Sequence, residues 1–321
     1  MKAHSRTQQP ASYRDLLETG ELAQRVVAAK ERLRRCHVCP RHCEVNRLGG
    51  ELGFCQVGAR PFVASYASHF GEELPLRGRY GSGTIFLASC NLRCLYCQNY
   101  EISHLREGRD ITVAELADMM MDLQEQGCHN INLVTPSHQV PQILEGVLLA
   151  AERGLRIPLV YNTSSYDDLE TLRSLDGIVD IYLPDFKYAD AVIAEAYSKA
   201  PGYPRLAKVT IKEMHRQVGD LVMDDHGIAV RGVLVRHLVL PGGLAGTREV
   251  VRFLADEISR DTYLSIMDQY RPCYQAFSHP PLDRGITQEE YDEAVQAAKA
   301  AGLHRLHQER SGSAVAWLAE L

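Results

Sequence analysis

The run Cys90-Asn91-Leu92-Arg93-Cys94-Leu95-Tyr96-Cys97 constrains this chain more than any other stretch. Three cysteines at CxxxCxxC spacing, directly after the apolar segment 84–88, can turn three thiolates inward from one short loop. Three thiolates satisfy three irons of a [4Fe-4S] cluster and leave the fourth iron without a protein ligand. An open metal position is what a catalytic centre requires, because a substrate or cosubstrate has to reach the metal. The competing assignment is a structural zinc site completed from elsewhere in the fold, although zinc ligands usually come as two CxxC pairs or as Cys/His pairs.

The other cysteines point the same way. Nine are present, and seven of them lie between Cys36 and Cys97. An odd number at metal-type spacings argues for ligation over disulfides. Cys36-x2-Cys39-Pro40-x2-Cys43-x11-Cys55 places four thiols within twenty residues, among glycines at 49, 50, 53 and 58. So little apolar sequence cannot form a core, so this module needs a metal. Four thiolates fit either a second [4Fe-4S] cluster, able to relay electrons to its neighbour, or a zinc ion. Cys128, at a helix-to-strand turn, reads as structural.

With 45% apolar and 24% charged residues, the chain can bury an ordinary globular core. A net charge of −6 gives no support for a nucleic-acid or anionic-membrane partner. No apolar run approaches the roughly 18 residues of a membrane span. Residues 1–10 are polar and lack an apolar signal region, so a cytoplasmic location is expected.

From residue 83 onward, strand and helix patterns alternate. Strands are expected at 84–88, 130–135, 158–162, 178–183, 232–240 and 262–267. Helices are expected at 113–126, 140–153, 167–175, 190–199, 203–218 and 247–259, with a closing helix at 287–301. Thr112 with Glu115 and Thr287 with Glu290 make capping boxes. Six apolar strands with helical crossovers predict a parallel α/β sheet in the form of an open (β/α)6 barrel. Residues 1–35 read as a helical lead-in, split at Gly20, and 36–80 as the cysteine-rich module with a connecting hairpin. Residues 81–303 form the barrel, with a small extension at 220–232, and 304–321 a tail. In the hairpin, Ser65, His69, Glu72 and Glu73 either lie on its surface or face the mouth of the barrel.

CxxxCxxC with an aromatic before its last cysteine, Tyr96, resembles the signature of the radical S-adenosylmethionine (SAM) superfamily. Cys97-Gln98-Asn99 and about residues 36–303 are similar to uncharacterised relatives of pyruvate formate-lyase-activating enzymes. The resemblance implies the (β/α)6 fold, a [4Fe-4S] cluster on Cys90, Cys94 and Cys97, and SAM chelated by the open iron. It implies one-electron cleavage of SAM to methionine and a 5′-deoxyadenosyl radical. An external donor of flavodoxin or ferredoxin type would supply the electron, and the radical would act on a partner protein, a peptide or a small molecule. Auxiliary clusters of classical activators follow the SAM motif, whereas here only fourteen residues separate Cys97 from Thr112 and the extra cysteines come first.

Chemistry in such barrels collects after each strand. After the second strand, Thr135-Pro136-Ser137-His138 stand where most of the superfamily carries a Gly-Gly-Glu-like segment for the SAM amino group. Ser137 and His138 can hydrogen-bond there, but no acidic partner for the ammonium is present; Ser137 also suits a helix N-cap. After the third come Asn162, Thr163 and Ser164, suited to ribose hydroxyls or a carboxylate. After the fourth, Asp185-Phe186-Lys187 resembles the Asp-x-Lys of activating enzymes, whose lysine faces the SAM carboxylate. Arg236 on the fifth strand matches an arginine near SAM, while His237 alternates to the other face. Asp268, Gln269, Tyr270, Arg271 and Cys273 after the sixth are candidates to border the substrate. A different class of function, a non-catalytic iron–sulfur electron-transfer or cluster-carrier protein, would explain the cysteines but not the Asp185, Lys187 and Arg236 set.

Overall fold

The structure, a computed structural model, describes residues 11–307. Expectations for 1–10 and for 308–321 lie outside the described residues. Ten strands follow one another as β1 (Phe62–His69), β2 (Ser82–Leu87), β3 (Arg109–Asp110), β4 (Ile131–Val134), β5 (Leu159–Thr163), β6 (Ile181–Pro184), β7 (Val222–Met223), β8 (Ala229–Leu238), β9 (Tyr263–Met267) and β10 (Leu306–His307). They form one sheet in the order β10-β9-β8-β6-β5-β4-β2-β1-β3, with β7 paired to β8. From β2 to β10 every neighbour on that path is parallel, and β1 and β3 add an antiparallel edge. This is the expected open (β/α)6 arrangement, extended at both ends.

All five residues of β5 and all four of β6 are buried, as strands covered by helices on one face and a packed interior on the other must be. The six expected strands are present, with shifted ends. The one expected at 178–183 begins at Ile181, because the Ile178 and Val179 N–H groups both bond to the Leu175 carbonyl and finish the preceding turn. β8 begins earlier than expected because its first residues pair with β7 in the 220–232 extension. Gly232 has φ 117°, and a Cβ there would lie 2.4 Å from the Asp220 carbonyl, so glycine is required where the extension crosses the strand. The expected helix 247–259 is α-helical over Thr247–Phe253 and widens to a π turn over Leu254–Ile258. Both capping boxes are formed.

The lead-in forms helices Tyr13–Glu18 and Glu21–Glu31, broken at Gly20 in the left-handed conformation. It packs on the barrel as well as beside the cysteine module: Lys30 pairs with Glu145 at 2.7 Å, and the Tyr13 hydroxyl donates to the Ile157 carbonyl at 2.9 Å.

The connection between β1 and β2 departs most from expectation. It contains a helical turn, Leu74–Arg77, rather than a plain hairpin. Leu76 is fully buried among Val160, Ile181, Leu183, Leu221, Ala229 and Leu234, the inward residues of β5, β6 and β8 and the extension. The barrel interior thus has an apolar floor toward the N-terminal ends of its strands. Asn162, Asp185 and Arg236 come later on the same strands and inserts, above that floor.

Candidate active site

The cysteine loop leaves β2 through Ser89, which has φ 69°. Its backbone is pinned from across the barrel. The Arg93 N–H donates to Ser198 O at 2.9 Å, Leu95 N–H to Tyr197 O at 2.8 Å, and the Asn91 amide to Tyr166 O at 2.7 Å. Each sulfur has a polar neighbour. Cys90 Sγ accepts from Leu92 N–H at 3.3 Å, Cys94 Sγ from the Ser198 hydroxyl at 3.0 Å, and Cys97 Sγ lies 3.1 Å from Ser103 Oγ. Burial, and then the neighbouring thiols, push Cys90 up to about 12; burial opposed by Lys187 leaves Cys94 at about 11. These thiols therefore keep their protons until a metal displaces them. Among the described residues no three His, Cys, Asp or Glu side chains are arranged to hold a single metal ion. Cluster ligation asks for something different, one thiolate per iron, and three adjacent thiols with N–H and hydroxyl donors suit it.

Facing the loop is a charged set from three strand ends. Arg236 donates through Nε to Asp185 Oδ1 at 2.7 Å, through one terminal nitrogen to Asn162 Oδ1 at 2.6 Å, and lies 3.4 Å from Glu72 Oε2 through the other. Lys187 Nζ bonds Asp185 Oδ2 at 2.7 Å. Burial disfavours the ionised Asp185, but Arg236 and Lys187 outweigh it and hold the carboxyl below its ordinary range. Lys187 is likewise opposed by burial yet raised, first by Asp185 and then by Cys94. Tyr203 secures the Asp185–Lys187 turn: its hydroxyl accepts from Lys187 N–H at 2.8 Å and lies 2.9 Å from Asp185 O. Spacing gives no sign of that contact, since Tyr203 opens the next helix but one.

Ser137, His138 and Tyr96 have internal partners, whereas the buried Ser164 Oγ makes no hydrogen bond among the described residues. Ser137 Oγ is 3.0 Å from Thr163 Oγ1, which donates to the buried carboxylate of Asp167 at 2.6 Å. His138 is fully buried, with Nε2 3.1 Å from Ala88 O, and burial depresses its pKa to about 3, so it is neutral. Tyr96 is buried edge-on between Tyr188 and Tyr270, at centroid distances of 6.4 and 5.8 Å. Asp167, Tyr188 and Ser198 were not among the sequence candidates; only packing brings them to the site.

The segment after β9 lies over the cysteine loop. Gln98 donates to Gln269 O at 3.1 Å, Gln275 N–H to Leu95 O at 2.9 Å, and the Tyr274 ring stacks on Tyr100 and His104 at 5.3 and 4.6 Å. Tyr270 is buried with its hydroxyl on Leu282 O at 2.6 Å, and Cys273 is buried close enough to Cys97 to raise its pKa. Asp268 is half-buried, and Arg271 is exposed.

The four N-terminal cysteines also gather. Burial raises Cys39, and Cys55, Cys36 and Cys43 all add to it. Cys43 Sγ accepts from Phe54 N–H at 3.3 Å, and Cys36 Sγ lies 3.8 Å from the Arg47 guanidinium. Gly53 runs so close that a Cβ would stand 2.7 Å from Cys43 Sγ. The module docks on the loop of the first set. Arg41 caps Phe54 at 3.7 Å and donates to Asn91 O at 2.8 Å, and the Ser89 hydroxyl, next to Cys90, bonds the Cys55 carbonyl.

The family model described as the radical SAM superfamily matches residues 84–242. An uncharacterised protein of Methanocaldococcus jannaschii is 30% identical over 291 residues, which are 88% of this chain and 80% of that one. A second from the same organism is 24% identical over 270 residues, 77% of this chain and 73% of that one. Among solved structures, HydG, a maturase of the [FeFe]-hydrogenase, is 13% identical with a TM-score of 0.45, covering 67% of this chain and 47% of that one. A domain of pyruvate-formate lyase-activating enzyme from Bacteroides vulgatus is 14% identical with a TM-score of 0.35, covering 61% of this chain and 91% of that one. No helix among the described residues is long and apolar enough to cross a membrane.

Proposed function

Since the chain belongs to the radical SAM superfamily, we propose that Cys90, Cys94 and Cys97 hold its [4Fe-4S] cluster and that Lys187, Asp185 and Arg236 hold SAM beside it. The cluster, when bound, supplies the electron that splits the SAM sulfonium into methionine and a 5′-deoxyadenosyl radical, which abstracts hydrogen from a substrate. What supports the reading most is the way Asp185 holds Arg236 and Lys187 at 2.7 Å each while Ser198 ties the same turn to the loop, 3.0 Å from Cys94 Sγ and 2.6 Å from the Tyr188 hydroxyl. Lys187 offers the SAM carboxylate a charge-assisted hydrogen bond, and Arg236 adds a second cation behind it. Asp185 does not touch SAM in this scheme; it positions both cations and keeps them charged. The buried tyrosines 96, 188 and 270 exclude water from the radical's side of the loop.

Cys36, Cys39, Cys43 and Cys55 form a second, closed site, and we favour a [4Fe-4S] cluster over zinc there. The Ser89–Cys55 bond gives electrons a short covalent and hydrogen-bonded route to Cys90. An external flavodoxin- or ferredoxin-type donor would then reduce the N-terminal site first. For the target of the radical we favour a peptide or small molecule over a glycyl-radical partner protein, because the extra cysteines precede the barrel.

Anaerobically reconstituted protein given dithionite and SAM should form 5′-deoxyadenosine and methionine, read by chromatography. Binding of SAM by calorimetry separates the enzyme from a cluster carrier. Neither product and no SAM binding would leave the carrier as the better account.

A further inference from the structure

The outermost strands of the sheet, β3 and β10, have two residues each, too few to template another strand. β1 is different. It has eight residues, and β3 pairs only with Phe62 and Val63. After a register shift at Ala64, residues 65–69 pair one by one with Phe86 to Ser82 of β2 and with no strand on their other side. Ser65, Tyr66 and Ala67 are exposed, so no helix or loop covers this edge. In an antiparallel pair every second residue turns its N–H and C=O away from the partner strand. No backbone group of residues 65–69 hydrogen-bonds to a described residue outside β2.

Proteins blunt exposed edges with charges, with proline or with a covering element. Residues 61–71 contain no Asp, Glu, Lys or Arg, in a chain whose residues are 24% charged, and the proline among them precedes the strand. Burial lowers the His69 pKa, so His69 adds no charge near neutral pH. The edge also leads to the charged set. Tyr66 shares the face of Ile85, which is buried in the helix-side core with Leu116, Met120 and Leu123. By alternation Ser65, Ala67 and His69 lie on the barrel side with Phe86, and the His69 ring meets Phe86 edge-on at 5.8 Å. His69 Nδ1 lies 3.8 Å from Glu72 Oε1, too long for a hydrogen bond, and Glu72 Oε2 lies 3.4 Å from Arg236.

We propose that the free edge of β1 at residues 65–69 docks an extended peptide segment as a further strand of the sheet. Main-chain hydrogen bonds supply the affinity. Side chains of the segment that turn toward the barrel meet Ser65, Ala67 and His69, which suits small or apolar residues. A single segment can end where β3 begins. A two-fold pair of β1 edges centred on Ala67 would instead set Gly71 of a second copy where β3 stands beside Val63. That the segment belongs to the radical's substrate rests on the reading above; the docking itself does not.

The probe is a fluorescent, capped peptide of alternating threonine and valine with a C-terminal lysine pair. Its control is the same peptide N-methylated at two adjacent central residues, which blocks both of its edges. Hydrogen exchange of the full chain and fluorescence anisotropy are the readouts. At millimolar probe the amides of residues 65–69 should exchange more slowly, and the methylated peptide should leave them unchanged. Tyr66→Pro and Ala67→Pro are made separately. One of these two N–H groups faces β2, and its loss damages the fold, as circular dichroism will report. The other faces outward, and its loss should leave the fold intact and weaken the probe at least tenfold. Unchanged exchange at millimolar probe overturns the site, as does undiminished binding by the folded proline variant. Slow exchange of every amide in 65–69 without probe overturns the free edge. A wild-type dimer in sedimentation that the folded proline variant abolishes makes the edge a self-interface and overturns the peptide. None of these readouts uses SAM, so a failure of the radical reading leaves them standing.

Discussion

The Arg47 guanidinium donates to the His138 carbonyl at 2.9 Å, tying the N-terminal cysteine module to the loop after β4. Arg47 is only 2% exposed and also donates to Gly58 O from two nitrogens, at 3.1 and 2.8 Å. Replacing it by Met keeps most of the volume but takes the guanidinium from the His138 carbonyl in a buried position, at about 1–3 kcal/mol, while Gly58 O keeps the Gln142 amide at 2.9 Å. Arg47→Met should lower the urea midpoint markedly, and Arg47→Lys should recover little, because a point charge cannot reproduce the planar fork. A wild-type midpoint in Arg47→Met would show that the contact carries no stability.

Cys94→Ala should abolish reductive SAM cleavage, because two thiolates cannot hold the cluster with its open iron in place. Iron should fall by about one cluster while the N-terminal site stays loaded. Wild-type 5′-deoxyadenosine formation by this variant would refute the ligand assignment.

Lys187→Ala should weaken SAM binding without loss of iron. Removing one charge-assisted hydrogen bond costs about 1.5–3 kcal/mol, roughly ten- to a hundred-fold in affinity. The calorimetric dissociation constant is the measurement, and an unchanged value would mean that Lys187 serves only to neutralise Asp185.

Replacing both Cys39 and Cys43 by Ala should make the segment from Cys36 to Gly58 sensitive to proteolysis while the barrel keeps its cluster. Dithionite should still support SAM cleavage, whereas a protein reductant should support it more slowly. In the wild type, about eight irons without zinc marks two clusters, and about four irons with one zinc marks a zinc module. Four irons, no zinc and no increase in proteolysis would remove the metal role of these cysteines.

His237 gives the chain an acid-sensitive element. Its Nδ1 bonds Phe186 O at 2.7 Å and its Nε2 lies 2.9 Å from Thr247 Oγ1, so the neutral ring is held from both sides. Burial lowers its pKa from 6.5 to about 4. Between those values the unfolded chain binds a proton that the folded chain does not. The stability from the neutral ring is therefore complete above about pH 6.5 and is lost as pH falls toward 4, by up to about 3 kcal/mol. His237→Gln should flatten urea stability against pH in that window by about one proton, and an unchanged slope would show that other groups carry it.

Part of this protein was legible in its sequence because part of it is local. Hydrophobic period marked all six core strands, and Thr112/Glu115 and Thr287/Glu290 marked helix starts, since caps and periods are properties of neighbouring residues. The spacing of Cys90, Cys94 and Cys97 is covalent, so a loop with three adjacent thiols followed from the chain alone. The two-residue strand β10 left no trace, having no period to read.

What the tertiary structure decided is which polar groups have partners. Ser198 reaches Cys94 from 104 positions away, and Arg236 reaches Asp185 from 51. His138 and Ser137, equally plausible at a strand end, turn into internal hydrogen bonds, while Glu72 and Glu73, for which the sequence left surface and barrel mouth both open, are buried. Those outcomes depend on how the sheet curls and on the β1–β2 connection filling its floor with Leu76. The neighbours of Asp185 come from separate stretches of the chain brought together by the curl of an open sheet, and no window along the chain contains them together.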